Sequence, residues 1–267
     1  MNAPPRRSRV RRLHLAAGVE RVDHAQAWQE WMPHWHDEWS FGAVIDGECR
    51  CVVGGQPLTV RAGDVVAIRP GEVHTGALLP AGPTASVAVV MLYAPEAWLA
   101  AEGLSPPPRS GRVRLPGLAA RARDVRSADE AREWLQALVR AWRRASPAPD
   151  HGAPVPRPLG PAAQRLLAAM QTALAEGEPT VAGVAARCGV SRERVHRVIT
   201  QSLGLTPRDY LLAVRLHRAR SLVLEGMALA EVAAACGFAD QAHFTRWFQR
   251  LFGYSPGDLA HAARAAG

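Results

Sequence analysis

Three histidines in the first third of the chain have the residue type and spacing of metal ligands. His34 and His36 alternate within PHWHDEWSF, so on a strand both side chains would point the same way, and His74 could supply a third imidazole. Three imidazoles suit zinc, iron or nickel. The same histidines could instead form hydrogen bonds inside the fold or line a pocket for an organic ligand, and Glu38 shares the parity of the pair. The segment is therefore a candidate ligand site.

A second set of polar residues lies in a pattern that the chain contains twice. The segment VAARCGVSRERVHRVITQSLGLTP, which begins at Val184, is repeated from Val232 as VAAACGFADQAHFTRWFQRLFGYSP. One extra residue lies in the turn of the second copy, and a good helix N-cap follows each turn, Ser191 or Asp240. Each copy therefore predicts a helix, a short turn containing glycine and a second helix, which is the helix-turn-helix motif.

The second helix of each copy begins with polar, basic and amide side chains. These residues are Arg192, Glu193, His196 and Arg197 in the first copy, and Gln241, Ala242, Thr245 and Arg246 in the second. Arginine and glutamine at such positions reach base edges in the major groove of double-stranded DNA. A plain helical repeat, in which the small residues only pack, is the alternative. Within residues 206–226, the apolar spacing predicts a rigid helix of about 16 residues, about 24 Å long, between the copies.

The first half of the chain predicts the elements that must position the histidines. Short apolar runs between residues 39 and 90 are separated by Asp46-Gly47, Gly54-Gly55 and similar turns, which is typical of a β-sandwich or small barrel. From Ala128 to Ala145 the apolar residues follow a helical period. That helix packs either on the β-domain or on a second copy of itself. Residues 146–161 are rich in proline and predict a stiff linker.

The repeated segment resembles the DNA-binding domain of the AraC/XylS family of bacterial transcription regulators. The similarity covers about residues 163–262 and is most specific in GFADQAHFTRWFQRLFGYSP. It implies base-reading roles for the following residues: Glu193, His196, Arg197, Gln241, Ala242 and Arg246. It implies core or turn positions for Phe238, Phe244, Phe248, Phe252 and Pro256. The implied partners are promoter DNA and RNA polymerase. An activator is the expected role, with repression left open, and a homodimer is left open too.

Residues 30–95 resemble the cupin-like effector-binding domain that precedes this DNA-binding domain in many members of the family. The similarity rests on the His34/His36 pair, Gly47, and the run from Gly63-Asp64 through Pro70-Gly71 to His74. It implies a double-sheet β-barrel that binds a small-molecule effector near His34, His36, Glu38 and His74. Metal-binding cupins also have a glutamate four or five residues after the second histidine, where this chain has Ser40 and Phe41. No metal cofactor is therefore expected; His34, His36 and His74 would be the ligands of one if present.

Charge and composition fit these resemblances. The net charge is +8, and the excess of arginine lies after residue 103, which suits a nucleic-acid partner. No apolar run is long enough to span a membrane, and the N-terminus lacks the apolar stretch of a secretory signal, so a cytoplasmic protein is predicted. The arginines between residues 6 and 12 form either a DNA-touching arm or a disordered tail, and the tail is favoured.

The sequence thus predicts an α+β protein with two domains. We expect a cupin-like effector-binding barrel in residues 1–104, a helical segment for packing or dimerisation in 105–145, the linker in 146–161, and an all-α domain with two helix-turn-helix motifs joined by a long helix in 162–267. The predicted function is sequence-specific regulation of transcription under control of a small molecule, without enzymatic activity. The alternatives are a metal-dependent cupin enzyme (an oxygenase or isomerase) with a helical appendage, and a regulator that binds no ligand.

Overall fold

The computed structural model describes residues 9–26, 30–79, 86–145, 160–177 and 180–265. The chain divides into two compact units, residues 1–151 together with 248–267, and residues 152–247. The predicted linker lies outside the described residues up to position 159, as do Arg6 and Arg7. No helix in the described part of the chain is long and apolar enough to cross a membrane.

The first unit contains two antiparallel sheets, as the predicted double-sheet barrel requires. The strands in the described residues are β1 (Arg9–Ala16), β2 (Val19–Gln26), β3 (Glu30–His34), β4 (Trp39–Asp46), β5 (Glu48–Val53), β6 (Gln56–Arg61), β7 (Asp64–Ile68), β8 (His74–Leu79), β9 (Val87–Ala94) and β10 (Gly111–Arg114). The first sheet has the order β1-β2-β9-β4-β7-β10, and the second has the order β3-β8-β5-β6. The predicted Asp46-Gly47 and Gly54-Gly55 turns join β4 to β5 and β5 to β6.

Both faces of the larger sheet are covered. Alternate side chains of its central strands point to opposite faces, and each set packs in a different apolar core. Trp39 and Phe41 of β4 face a layer of helices, α1 (Glu96–Ala101), α2 (Pro116–Arg121) and α3 (Ala128–Ala145). Val44 of β4 lies on the opposite face, in the apolar core between the two sheets. The interior of the first unit therefore lies between the two sheets.

Helix α3 packs on the β-domain and so settles the alternative that the sequence left open. Its buried residues are those of the predicted stripe: Ala131, Trp134, Leu135, Leu138, Val139 and Trp142. The indole Nε1 of Trp134 donates a hydrogen bond of 2.8 Å to the carbonyl of Leu118. Because this stripe is used within the chain, it does not form a dimer seam.

Two expectations for this half of the chain were wrong. Residues 105–145 are not helical throughout, because they include β10, which pairs with β7. Arg112 and Arg114 of β10 lie 3.4 and 3.1 Å from the buried carboxylate of Asp64 on β7. The N-terminal arginines from residue 9 onward are not a tail either. They belong to β1, where Arg12 forms an ion pair with Glu20 of β2.

The helices after the linker form two helix-turn-helix motifs with one long helix between them. Their bounds are α4 (Pro161–Ala175), α5 (Val181–Cys188), α6 (Arg192–Leu203), α7 (Pro207–Leu224), α8 (Leu229–Ala235), α9 (Gln241–Phe252) and α10 (Pro256–Ala265). The turns between α5 and α6 and between α8 and α9 use glycine in the left-handed conformation, Gly189 with φ 63° and Gly237 with φ 71°. Helix α10 belongs to the first unit, where it packs against β1.

Candidate functional site

The three histidines singled out in the sequence come together inside the first unit. The ring centres of His34 and His36 are 5.1 Å apart, those of His36 and His74 are 5.2 Å apart, and those of His34 and His74 are 4.2 Å apart. One ring nitrogen of each residue lies within 4.8 Å of the others. Glu38 lies in the same loop as His36 but is not part of this group.

Strand pairing, rather than alternation along one strand, brings these histidines together. His34 ends β3 and His74 begins β8, and the two are direct partners in the antiparallel register. His36 lies beyond the end of β3, in the loop that leads to β4. The expectation that His34 and His36 share a strand was therefore wrong, although both side chains reach the same place.

Backbone carbonyls hold two of the rings. Nδ1 of His34 lies 2.9 Å from the carbonyl oxygen of Met32, and Nδ1 of His74 lies 3.0 Å from that of Glu72. A neutral imidazole that donates from Nδ1 presents Nε2 as its electron-pair donor. Burial lowers the pKa of His74 to about 4, so this ring is neutral at pH 7.

Two further polar groups lie on the interior face beside the histidines. The ring of Tyr93 on β9 is 4.9 Å from that of His36. Ser40 of β4 lies directly opposite Tyr93 in the sheet, so both point to the same face. The Ser40 hydroxyl is buried and has no hydrogen-bond partner among the described residues. An unsatisfied buried hydroxyl is costly, which marks this interior as a place where a ligand would supply a partner.

An open cavity of about 540 Å³ lies away from the clustered histidines in the first unit. None of the three clustered histidines borders it, and its polar lining consists of Arg11, Arg21, Asp23, His24 and Arg123. Burial lowers the pKa of His24 to about 4. The sequence analysis did not select this cavity, because part of its wall comes from β1 and β2, which were not predicted.

Helix α6 exposes every residue that the sequence predicted to contact DNA in the first motif. Arg192, Glu193, His196 and Arg197 are exposed, whereas Val195 and Ile199 of the same helix are buried. Ser191 is the N-cap and accepts a hydrogen bond of 3.2 Å from the backbone N–H of Arg194. The carboxylate of Glu193 interacts with its own backbone N–H and with the Ser191 hydroxyl, and these hydrogen bonds lower its pKa. The Glu193 side chain thus also stabilises the start of the helix.

Helix α9 presents the second predicted set in the same way. Gln241, Ala242 and Arg246 are exposed, and Thr245 is half-buried. Asp240 caps the helix by accepting a hydrogen bond of 2.6 Å from the backbone N–H of His243. The predicted core and turn residues, on α9 and beside it, are buried: Phe238, Phe244, Phe248, Phe252 and Pro256. Among the described residues, neither Arg197 nor Arg246 takes part in an ion pair.

An antiparallel double-sheet domain followed by two helix-turn-helix motifs defines the chain as a DNA-binding regulator with a ligand-binding domain. Two family profiles agree with this architecture. The AraC-like ligand binding domain matches residues 17–153, and a helix-turn-helix domain matches residues 184–262. The chain belongs to the AraC family of transcription regulators.

Related sequences and solved structures support the assignment to this family. The chain is 31% identical to the HTH-type transcriptional activator RhaS of Salmonella arizonae, over 85% of this chain and 86% of that protein. RhaS of Klebsiella pneumoniae (strain 342) is 42% identical over 77 residues, which span 28% of each protein. Among solved structures, ToxT from Vibrio cholerae O395 has a TM-score of 0.55 at 10% identity, covering 92% of this chain and 98% of that one. At this identity the likeness shows a shared fold.

Proposed function

We propose that the protein binds a promoter site in a sequence-specific manner and regulates transcription in response to a small molecule. The observation that carries the proposal is the pair of exposed, basic helix faces on α6 and α9. Helix α7, of 18 residues, joins the two motifs. Its length of about 27 Å is comparable to, though shorter than, one turn of the DNA double helix, about 34–36 Å. Two reading helices held by one rigid helix can therefore contact successive segments of the major groove and distinguish a long, asymmetric site.

The mode of regulation follows from the relatives. RhaS proteins are named transcriptional activators, and we infer that this protein also activates transcription, through contact with RNA polymerase at the promoter. We place it in the cytoplasm, where the DNA is. A homodimer would have to use a surface other than the buried stripe of α3.

The effector is proposed to bind in the interior of the first unit, between the two sheets. There His34, His36 and His74 lie beside the unsatisfied hydroxyl of Ser40, and an apolar core continues from them. Small-molecule sites typically combine such apolar walls with a few polar groups. Glu38 lies in the adjoining loop and is proposed as a residue at the rim.

In vitro selection of DNA sites by the full chain, at two salt concentrations, tests the DNA-binding half of this proposal. We expect enrichment of one asymmetric motif, with two blocks separated by about one helical turn. Recovery of no motif, with binding that falls steeply as salt increases, would mean that arginine charge alone holds the DNA.

A thermal-shift screen of small molecules tests the effector half. A true effector should raise the melting temperature of the wild-type chain and change its affinity for the selected DNA, and His74→Gln should weaken both effects. A molecule that stabilises both proteins equally would bind elsewhere, for example in the cavity beside His24. If molecules that stabilise the wild-type chain leave DNA binding unchanged, the result favours a regulator without a ligand.

A metal-dependent enzyme is the second candidate function, and the three converging histidines are the observation that favours it. Membership of a family of transcription regulators and the two exposed reading helices favour the first. Turnover of a substrate by the purified chain would reverse this order.

A further inference from the structure

We propose that His34, His36 and His74 together bind one divalent transition-metal ion, of the zinc, cobalt, nickel or iron(II) class. This proposal goes beyond regulation by a small molecule. From the sequence, no metal was expected, because the chain lacks the glutamate ligand of metal-binding cupins. Three protein ligands with an open coordination position form a complete metal site in many proteins, so a fourth side chain is not required. What decides the question is whether the three rings can surround one ion.

The separations between the rings match such an arrangement. A metal–nitrogen distance of about 2.1 Å puts the centre of each ring about 3.2 Å from the ion, so rings around one tetrahedral or octahedral ion lie about 4.6–5.3 Å apart. The separations of 5.1 and 5.2 Å fall within this range, and that of 4.2 Å is slightly shorter. The nitrogens, within 4.8 Å of one another, need only small side-chain movements to meet an ion.

The outer hydrogen bonds also have the form that metal sites use. Histidine ligands usually donate their second ring N–H to a carbonyl or carboxylate, which fixes the orientation of the ring. His34 and His74 make this bond in the same way, each to the carbonyl two residues earlier in the chain. Both residues are buried, with 5% and 8% of their surface exposed, so the two rings are held in place before any ion arrives.

The composition of the site indicates which ion and which further ligand it suits. No carboxylate or thiolate belongs to the group, and imidazole is a good ligand for the ions named above but a poor one for calcium or magnesium. Because imidazoles carry no charge, a bound ion would keep its full positive charge. The remaining positions, near the hydroxyl of Ser40, would then favour an effector with an anionic oxygen donor such as a carboxylate. This last step rests on the proposed function, whereas metal binding does not.

The test uses the full chain without a polyhistidine tag, stripped of metal by a chelator and then dialysed. Zinc and cobalt are the probes; zinc affinity is measured by competition with a chromophoric chelator, and cobalt coordination by its visible absorption bands. His36→Gln is the main variant because His36 is half-buried and lies in a loop. His14→Gln, an exposed histidine on β1, is the matched control. Cys51→Ser removes the half-buried thiol on β5 that lies 3.8 Å from the sulfur of Cys49, the competing soft ligand pair. This variant and His74→Gln, each checked for native circular dichroism, complete the set.

We expect the wild type, His14→Gln and Cys51→Ser to bind about one zinc ion per chain, and cobalt to give bands of nitrogen coordination. His36→Gln should lower the affinity more than about 100-fold, since even changes in outer hydrogen bonds cost about 10- to 100-fold. Absence of stoichiometric metal in the wild type would overturn the proposal. So would zinc affinity that survives His36→Gln and His74→Gln but is lost in Cys51→Ser. Selection of DNA sites with the same preparations separates metal binding from the proposed regulatory function. Sequence-specific DNA binding without metal would leave the proposed function intact.

Discussion

The sharpest consequence of the two exposed helix faces concerns Arg197 on α6 and Arg246 on α9. Each should be replaced by alanine, singly and together, in the full chain. Both side chains are exposed and neither forms an ion pair among the described residues, so the substitutions remove no buried side chain. The free energy of unfolding should therefore change by less than about 0.5 kcal/mol. Any change in DNA binding then reports the contact itself.

The size of the expected effect follows from what an arginine does in the major groove. A bidentate contact to a base contributes about 1–3 kcal/mol of discrimination, which corresponds to about 5- to 150-fold in Kd. The two residues lie on different helices joined by the 18 residues of α7, so their effects should add. The double variant should lose about 2–6 kcal/mol and lose preference at two positions of the site, about one helical turn apart.

The assay is a titration of the selected DNA site and of scrambled sites, at two salt concentrations. Arg165→Ala is the matched control, because Arg165 is an exposed arginine of α4 that lies outside both motifs. It removes the same charge without removing a proposed base contact. If Arg197→Ala and Arg246→Ala weaken binding to all sequences equally, and no more than the control, then α6 and α9 do not read bases.

Three further predictions concern stability. Trp134→Ala should lower the free energy of unfolding by about 3–5 kcal/mol, because this ring is 2% exposed in the core beneath α3; a loss below about 1 kcal/mol in urea denaturation would contradict that packing. Asp240→Ala should destabilise α9 by about 1 kcal/mol, whereas Asp240→Asn should preserve the cap; equal hydrogen exchange at the start of α9 in both variants would argue against capping. Burial lowers the pKa of His24 from 6.5 to about 4 in the folded chain, so as the pH falls the unfolded chain takes up this proton first. The contribution of His24 to the free energy of unfolding is therefore complete above pH 6.5 and is lost as the pH drops towards 4. Between pH 7 and 5 this loss is at most about 2 kcal/mol, and His24→Gln should remove it from the urea-denaturation profile; an unchanged profile would show that His24 is not buried in this way.

The helices were predictable because their signals are local. The buried stripe of α3 from Ala131 to Trp142 is visible as a 3.6-residue period. Gly189 and Ser191 mark a turn and a cap within three residues of each other. The exposed faces of α6 and α9 follow from the same spacing, since whatever is not buried in such a helix must face outward.

Strands β1, β2 and β10 were not predicted, and in β1 and β10 arginine hides the alternation. In β10, Val113 is buried between Arg112 and Arg114, whose charge resembles that of a loop until the pairing with Asp64 is known. The histidine cluster shows the same limit. His34 and His74 are 40 residues apart in the sequence and become neighbours only through the register of β3 with β8. No local pattern indicates Ser40 or Tyr93 as their companions.

The fate of a molecule bound at the three histidines distinguishes a regulator from an enzyme. A site of three imidazoles with open positions suits either role, because both begin with a ligand held at an ion. The roles differ in the fate of that ligand: a sensor must release it unchanged, since its binding energy is spent on shifting a conformational equilibrium. Mass spectrometry of an effector recovered after prolonged incubation with metal-loaded protein should therefore show the starting molecule alone. The control is the same incubation with His36→Gln. A product that accumulates with the wild type and not with His36→Gln would show that the first domain is an enzyme.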